Sequence, residues 1–280
     1  MRRYVSGNSI QEVWTYLLGQ LLRHAEYVPT PRGIATREIL GVTIHVNDLR
    51  NNIIHHPVRN MNYRFMVAEW LWITFGHEDL ATLVQYNGQM SRFSDDGKAL
   101  AGAYGPRLST QWRYVLDTLR RDPDTRQAVA TIWTPNPAPS KDIPCTLSLQ
   151  FIARDGKLNL IVTMRSSDVW LGIPYDVFTF SQIANSIAGE LCLEPGFLQM
   201  QLGSSHLYDD NVEKVMEVLK NSQPSGFTSP RLSVWPPMEL ERQLVNPTGT
   251  NILYEPWATY ARVLHAETWK EAYRLLRTLE

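Results

Sequence analysis

The sequence predicts an α+β fold, and two contrasting periodicities support this class. Residues 8–24 repeat apolar side chains with the period of about 3.6 residues that an amphipathic helix has. Residues 146–153 and 157–164 instead alternate apolar and polar side chains, as half-buried strands do, and the intervening "ARDGK" contains the Asp-Gly pair of a hairpin turn. Because the sequence has no internal repeat and no low-complexity segment, we expect one domain over residues 1–280.

The first half of the chain mixes helices, one strand and a long loop. After the first helix, a proline-containing loop leads into a β-rich run within residues 26–48, where we expect a strand. The run "NYRFMVAEWLWITFG" predicts a helix that ends at Gly76, and "QWRYVLDTLRRDPDTR" predicts another that Pro123 ends. Residues 86–110 form a glycine-containing loop, and a loop this long in a compact domain usually has a function.

The second half begins with a strand candidate at residues 127–133, ahead of the predicted hairpin. Residues 178–193 predict a buried helix, with Asp176 just before it. After "QLGSSHLYDDN" we expect a helix, a proline-rich stretch and a terminal helix in "ETWKEAYRLLRTL". The predicted strands lie far apart in the sequence, so the sheet must join distant segments.

Composition excludes several classes of function. The net charge of −1 provides no general attraction to nucleic acid or to a membrane surface. No apolar run reaches the about 18 residues of a membrane span, and we interpret "MRRYVSGNSIQEVWTYLLGQLLRH" as a folded helix rather than a signal peptide. Two cysteines, Cys145 and Cys192, provide no disulfide framework, so we expect the reducing cytoplasm of a bacterium or of a phage-infected cell.

Two short motifs contain residues suited to chemistry. Cys145 in "IPCT" follows a loop at the start of a strand, where a nearby arginine would favour the nucleophilic thiolate, although an isolated cysteine is more often structural. The motif "RSSD" supplies Arg165, Ser166 and Asp168 at the end of another strand. A guanidinium and a hydroxyl suit phosphate oxygens, while the simpler interpretation is a solvated turn.

Longer stretches resemble one family. "DPDTRQAVATIW", "PCTLSLQFIARDGKLNLIVTMRSSDVWLGIPYDVFTFS" and "GSSHLYDDN" follow, in order and spacing, the pattern of the thymidylate synthases, and "AEWLW" and "GAYG" also match. The resemblance covers roughly residues 8–215 and is strongest over 57–215, whereas the terminal helix at 266–279 is atypical. It implies a three-layer α+β fold with a central mixed sheet, and a homodimer formed through that sheet.

The resemblance also implies roles for single residues. Cys145 resembles the nucleophile that adds to C6 of a pyrimidine nucleotide, and Tyr104 the tyrosine near the C5 proton. Asp168 resembles an aspartate that contacts the folate, and Glu69 an acid/base carboxylate that orders water beside the ring and folate. The implied nucleotide ligands are Arg32, Arg165 and Ser166 at the phosphate, His206 and Tyr208 at the sugar, and Arg126 from the second subunit. The one-carbon donor would be 5,10-methylenetetrahydrofolate, and no metal is expected.

One departure from the family pattern concerns the base. The family's "GLPFN" element has an asparagine that reads the uracil edge, whereas this sequence has "GIPYD" with Asp176. An ionised carboxylate is only an acceptor, so it suits the N4 amino group and a protonated N3 of cytosine better than O4 of uracil. A mispaired buried polar group costs about 1–3 kcal/mol. The alternative is that Asp176 caps a helix.

The change to Asp176 resembles the pyrimidine (cytidylate) hydroxymethylase branch of the family. This resemblance implies a cytidylate 5-hydroxymethylase, in which water captures the exocyclic methylene on C5. Residues 86–105 lack the tryptophans with which thymidylate synthases shield that methylene, which agrees with water entry. The sugar stays open between dCMP and CMP. The alternatives are a thymidylate synthase or dUMP hydroxymethylase, with Asp176 protonated, and a non-catalytic relative that binds nucleotides or RNA. Thr146, Met164 and Gln127 are further departures from the family pattern.

Overall fold

The computed structural model describes residues 2–221, 226–246 and 254–280, apart from the side chain of Arg32. The strands are β1 (Tyr4–Gly7), β2 (Thr36–Val46), β3 (Val129–Thr131), β4 (Thr146–Arg154), β5 (Lys157–Asp168) and β6 (Glu194–Tyr208). The α-helices are α1 (Ile10–His24), α2 (Tyr63–Thr74), α3 (Leu80–Val84), α4 (Gly105–Ser109), α5 (Trp112–Arg121), α6 (Ile173–Glu190), α7 (Val212–Lys220), α8 (Met238–Val245), α9 (Trp257–His265) and α10 (Trp269–Arg277). Short 3-10 helices span Pro31–Gly33, Gly88–Arg92 and Asp209–Asn211.

The strands form one mixed sheet in the order β1-β2-β6-β5-β4-β3. Strand β6 pairs in parallel with β5 and antiparallel with β2, so it has hydrogen-bonded neighbours on both sides. The β5–β6 register sets Ser166 opposite Ser204 and Asp168 opposite His206. The motifs "RSSD" and "SSHLY" therefore lie side by side at one end of the sheet.

The predicted hairpin between β4 and β5 is confirmed. Asp155 and Gly156 both have positive φ, 50° and 72°, which is the backbone of a type I′ turn, and Arg154 pairs with Lys157 across it. At the other end of the hairpin the register shifts between Thr146 and Ser148. This irregularity lies next to Cys145, where β4 begins.

The hydrophobic core lies between one face of the sheet and the helices α1, α2 and α6. Alternate residues of the sheet point into it, among them Phe151, Val162 and Met200. Helix α6 is buried along nearly its whole length, and Trp70 of α2 packs edge-on against Phe178 of α6. The opposite face of the sheet is half-buried and more polar, and the predicted homodimer through that face stays a prediction.

The structure corrects several predicted boundaries. The strand predicted at 127–133 covers only β3, and the helix predicted at 178–193 is α6, which begins five residues earlier at Ile173. Pro174 can occupy the first turn of a helix because the N–H it lacks has no intrahelical partner there. Asp176 therefore lies within the first turn of α6, not before it. Strands β1 and β6 and helices α3, α4, α8 and α9 were not predicted, and β1 lies in the amino-terminal segment that was interpreted as helix.

Over the ranges that the structure describes, none of the helices has both the length and the apolar character needed to cross a membrane.

Candidate active site

Cys145 lies at the start of β4, beside the end of β5. Its backbone carbonyl accepts from the backbone N–H of Arg165 at 2.8 Å, and the Ser166 hydroxyl donates to its Sγ at 3.7 Å. Burial raises the pKa of the Cys145 thiol, and the Arg165 guanidinium and the Ser166 hydroxyl act in the opposite direction. The hairpin thus brings together the three residues that the sequence singled out.

The guanidinium of Arg165 is held by backbone carbonyls from the loop that precedes Cys145. It donates from Nε to the carbonyl of Pro144 and from Nη2 to the carbonyl of Ile143, both at 2.9 Å. Its Nη1 donates to the Ser166 hydroxyl at 3.1 Å. Arg165 is nevertheless exposed, so an anion can still approach its outer edge.

Glu69 of α2 and Asp176 of α6 line one pocket of about 140 Å³. Burial, and then the neighbouring Asp176, raises the pKa of Glu69 to about 8. Burial also raises the pKa of Asp176 to about 7; a hydrogen bond from Ser167 opposes this rise and the charge of Asp168 adds to it. Two carboxyl groups that interact in this way titrate as a pair near neutral pH. A carboxyl that carries a proton can donate a hydrogen bond, and an ionised one can only accept hydrogen bonds.

Asp176 does not cap the helix that contains it. Gly172 occupies the N-cap position of α6, and no side chain makes a capping hydrogen bond there. The Asp176 carboxylate instead accepts from the Ser167 hydroxyl at 3.3 Å and borders the pocket. The capping interpretation of Asp176 is therefore wrong.

Tyr104 lines the pocket and contacts Thr146, the residue next to Cys145. Its hydroxyl accepts from the backbone N–H and the hydroxyl of Thr146, at 3.3 and 3.2 Å, and its ring stacks on Phe180 at 6.3 Å. Burial, with Asp176 and Cys145 nearby, raises the pKa of the Tyr104 phenol. Thr146, a departure from the family pattern, thus has a definite contact beside Cys145.

Asp168 and His206 face each other where β5 and β6 end. One carboxylate oxygen of Asp168 accepts from the backbone N–H groups of Trp170 and Leu171, at 2.7 and 3.0 Å. The other oxygen, Oδ2, is buried and has no hydrogen-bond partner among the described residues. The ring of Tyr208 meets the His206 ring edge-on at 5.4 Å. Burial raises the pKa of Asp168 and lowers the pKa of His206.

One of the predicted arginines lies apart from this cluster, and the side chain of another lies outside the described residues. Arg126 is exposed on the loop before β3, and its backbone carbonyl accepts from Gln150. Arg32 belongs to the 3-10 helix Pro31–Gly33, and its side chain lies outside the described residues. Met164 points into the core rather than into the site, so its departure from the family pattern concerns packing.

Sequence reasoning missed three residues that border the site. Ser167 donates to Asp176, Asp142 accepts from the backbone N–H of Gly102 at 2.8 Å, and Trp72 of α2 lines the pocket. Trp72 therefore places a tryptophan in the pocket, although residues 86–105, the loop in which tryptophans were expected, contain none. Alternation along β5 could have indicated that Ser167 points inwards, but nothing in the sequence pairs it with Asp176.

The sequence model of the family described as thymidylate synthase matches residues 12–244, which is most of the chain. The chain belongs to the thymidylate synthase family. A relative in Bacillus phage SP01, named deoxyuridylate hydroxymethyltransferase, is 35% identical over 233 residues. That alignment covers 76% of this chain and 61% of the phage protein, so the chain spans less than two thirds of this relative. The family resemblance is confirmed, and the name of the relative agrees with the predicted hydroxymethylase branch.

In the described parts of the chain, no group of three or more histidine, cysteine or carboxylate side chains is arranged to hold a metal ion.

Proposed function

We propose that the protein transfers a one-carbon unit to C5 of a cytidylate and releases the 5-hydroxymethyl nucleotide. The observation that carries this proposal is the carboxyl group of Asp176, which borders the same pocket as Glu69 and Tyr104. Its negative charge contributes to the raised pKa of Glu69, of Tyr104 and of the Cys145 thiol. A base that contacts Asp176 would therefore lie close to the nucleophile.

The identity of the base follows from the donors and acceptors on its edge. An ionised Asp176 accepts hydrogen bonds but donates none, and cytosine offers the donor N4–H₂ next to N3. When a thiolate adds to C6, N3 becomes more basic and takes a proton, which Asp176 can then also bind. The carboxylate therefore stabilises the adduct more than the free base, which is the condition for catalysis.

The residues of the site account for the steps on the nucleotide. Arg165 and Ser166 hold the phosphate and place C6 beside Cys145, whose thiol loses its proton as the S–C6 bond forms. The C5 carbanion forms a bond to the methylene carbon of methylenetetrahydrofolate, and C5 then loses its proton. The C–N bond to the folate breaks, so that tetrahydrofolate leaves and an exocyclic methylene remains on C5. Glu69 orders the water that adds to this methylene, and the S–C6 bond finally breaks. Because water and not hydride captures the methylene, the folate is not oxidised.

The environment of Asp168 favours the binding of a folate next to the nucleotide. Its buried Oδ2 lacks a partner among the described residues, and buried polar atoms are nearly always paired. The ring amide and amino groups of a pterin are donors of the kind that such an oxygen needs. The exposed position of Arg126 agrees with its donation to a second subunit, and the homodimer is part of this proposal.

A second candidate function is hydroxymethylation of dUMP. The phage relative is named for a deoxyuridylate, and the pKa of Asp176 near 7 means that a protonated acid is within reach at neutral pH. A protonated Asp176 could donate to O4 of uracil. We favour cytidylate because the Ser167 hydroxyl stabilises the ionised form of Asp176 and so opposes its protonation. The name of the relative also makes us favour the deoxy sugar.

The test is C5-tritium release from labelled dCMP, CMP and dUMP with methylenetetrahydrofolate, followed by the mass of the product. The proposal predicts release from a cytidylate, a mass gain of one hydroxymethyl group and no dihydrofolate. Release from dUMP alone with a methyl gain and dihydrofolate would contradict it. Release from dUMP with a hydroxymethyl gain would favour the second candidate, and no release from any nucleotide would favour a non-catalytic binder.

A further inference from the structure

We propose that Ser167 is the positioning residue for base recognition, because its hydroxyl fixes one oxygen of the Asp176 carboxylate and leaves the other for the cytosine edge. This inference rests on the proposed function. It concerns a residue that acts through Asp176 and does not itself touch the base. Its support comes from geometry, from a comparison with a neighbouring serine and from the charges around Asp176.

The hydroxyl of Ser167 and the carboxylate of Asp176 lie within hydrogen-bond distance of each other. Ser167 is only 3% exposed at the end of β5, and its Oγ lies 3.3 Å from Oδ2 of Asp176 in the first turn of α6. The chain turns between them at Gly172. A Cβ atom at Gly172 would lie 3.2 Å from Oδ2 of Asp176 and 3.3 Å from Oγ of Ser167, which is tighter than most such contacts. The glycine therefore leaves room for the hydroxyl and the carboxylate to meet.

A second buried serine shows that the position on the strand alone does not create this contact. Ser205 on β6 is the register partner of Ser167 and is fully buried. Its hydroxyl has no hydrogen-bond partner among the described residues. Ser167 differs in having the Asp176 carboxylate within reach. Ser205 is therefore a matched control for the loss of a buried hydroxyl at this end of the sheet.

The groups around Asp176 do not favour its ionised form, so the hydrogen bond from the Ser167 hydroxyl is important for the charge of this carboxyl. The titratable groups that face Asp176 are Glu69 from α2, Tyr104 from the segment before α4, Cys145 from the start of β4 and Asp168 from β5. Each of them is neutral or negative, so none favours a second negative charge. Burial raises the pKa of Asp176, and the Ser167 hydroxyl is the contact that lowers it.

Removal of this hydroxyl should change the specificity as well as the rate. Without it, Asp176 stays protonated to higher pH and its carboxyl can rotate. A protonated carboxyl presents a donor, which suits O4 of uracil and mismatches a protonated N3 of cytosine. Ser167→Ala should therefore weaken the selection of cytidylate most strongly below neutral pH.

The kinetic test compares Ser167→Ala, Ser205→Ala, Asp176→Asn and the double variant Ser167→Ala/Asp176→Asn. The measurement is kcat/KM for the preferred cytidylate and for dUMP between pH 6 and 9. We expect the acid limb for cytidylate to move up by about 0.5–1 pH unit in Ser167→Ala. This shift is a loss of about 3–10-fold at the lowest pH, and activity should recover near pH 9. Ser205→Ala should stay within about twofold of the wild type.

Two kinetic outcomes would overturn the inference. An equal loss at every pH would mean that Ser167 only supports the packing. The same loss in the Asp176→Asn background would mean that Ser167 does not act through Asp176, since coupled residues lose their separate effects in the double variant.

A second measurement keeps this test separate from the proposed function, because it needs no turnover. In protein labelled with ¹³C at the aspartate carboxyls, NMR follows the Asp176 signal against pH, and Asp176→Asn assigns that signal. A midpoint that rises by about 0.5–1 unit in Ser167→Ala and stays in place in Ser205→Ala supports the inference, even if cytidylate is not the substrate. A midpoint that does not move in Ser167→Ala overturns it.

Discussion

The two ends of the candidate active site are built on different physical principles. At the predicted phosphate end, Arg165 is exposed and is fixed by the backbone carbonyls of Ile143 and Pro144. At the predicted base end, Glu69 and Asp176 are buried carboxyls whose pKa values rise to about 8 and 7. One end presents a fixed charge to solvent, and at the other end the charge depends on whether the carboxyls have lost their protons.

This difference shows which properties can be inferred from residue identity. A guanidinium is charged in any setting, so the identity of Arg165 already determines its chemistry. The charge of a carboxyl depends on burial and on its neighbours, so Asp176 can be an acceptor or a donor. Recognition of the base is therefore the part of the function that requires the three-dimensional environment.

Loss of Cys145, the predicted nucleophile between the two ends, should have the largest effect. Cys145→Ser should reduce C5-tritium release by at least about a thousandfold, because a hydroxyl is a far weaker nucleophile than a thiolate. The other cysteine, Cys192, is exposed, and Cys192→Ser is the control that should keep full activity. Retention of more than a tenth of the activity in Cys145→Ser would contradict covalent catalysis by this residue.

The phosphate end should respond in binding. Arg165→Gln should raise KM for the nucleotide about 10–100-fold, which corresponds to the loss of charge-assisted hydrogen bonds. Arg113→Gln is a suitable control, since the Arg113 side chain is 93% exposed. Steady-state kinetics with the nucleoside that lacks the phosphate adds a check: Arg165→Gln should not change its KM. A similar rise with this nucleoside would show that Arg165 does not read the phosphate.

The base end should respond in the pH dependence of stability. Glu69 and Asp176 have pKa values that are higher in the folded than in the unfolded chain, so the folded state binds more protons. The free energy of unfolding should therefore fall as pH rises from about 3, where both states are protonated, to about 8–9. Urea unfolding at pH 5 and pH 8.5 should show that Glu69→Gln removes about 1–3 kcal/mol of this fall.

A surface carboxyl provides the control for that experiment. Glu213 on α7 is exposed, so Glu213→Gln should leave the difference between the two pH values unchanged. If Glu69→Gln behaves in the same way as this control, the Glu69 carboxyl is solvated, and the description of the base end is wrong.

Local patterns predicted the hairpin and the first helices, but not the strand between β2 and β5. Asp155 and Gly156 sufficed for the turn, because its backbone requires residues that tolerate positive φ. Strand β6 contains "LGSSHLY", whose glycine and serines are typical of a loop. It is a strand because β2 and β5 supply hydrogen-bond partners on both sides, and these partners are distant in sequence. Helices α8 and α9 lie beyond a proline-rich stretch and depend on packing in the same way.

The identity of a site residue could be predicted where a sequence motif contains it. Its protonation state could not be predicted where a contact in the fold determines that state. Cys145, Arg165 and Ser166 were inferred from short motifs, and the hairpin brings them together. The hydrogen bond from Ser167 to Asp176 depends on how α6 starts after β5, and the helix begins earlier than its apolar pattern indicated. The residue that donates a hydrogen bond to the Asp176 carboxylate could therefore be identified only from the fold.

The most direct test of the account is a competition between dCMP and dUMP at equal concentration, with wild-type protein and with Asp176→Asn. An asparagine amide donates to O4 of uracil, so this exchange reverses the hydrogen bonds offered to the base. The account predicts that the wild type forms mainly hydroxymethylated cytidylate, and that Asp176→Asn shifts the product ratio towards uridylate by about 10–100-fold. A product ratio that is the same in both proteins would contradict the claim that Asp176 reads the base.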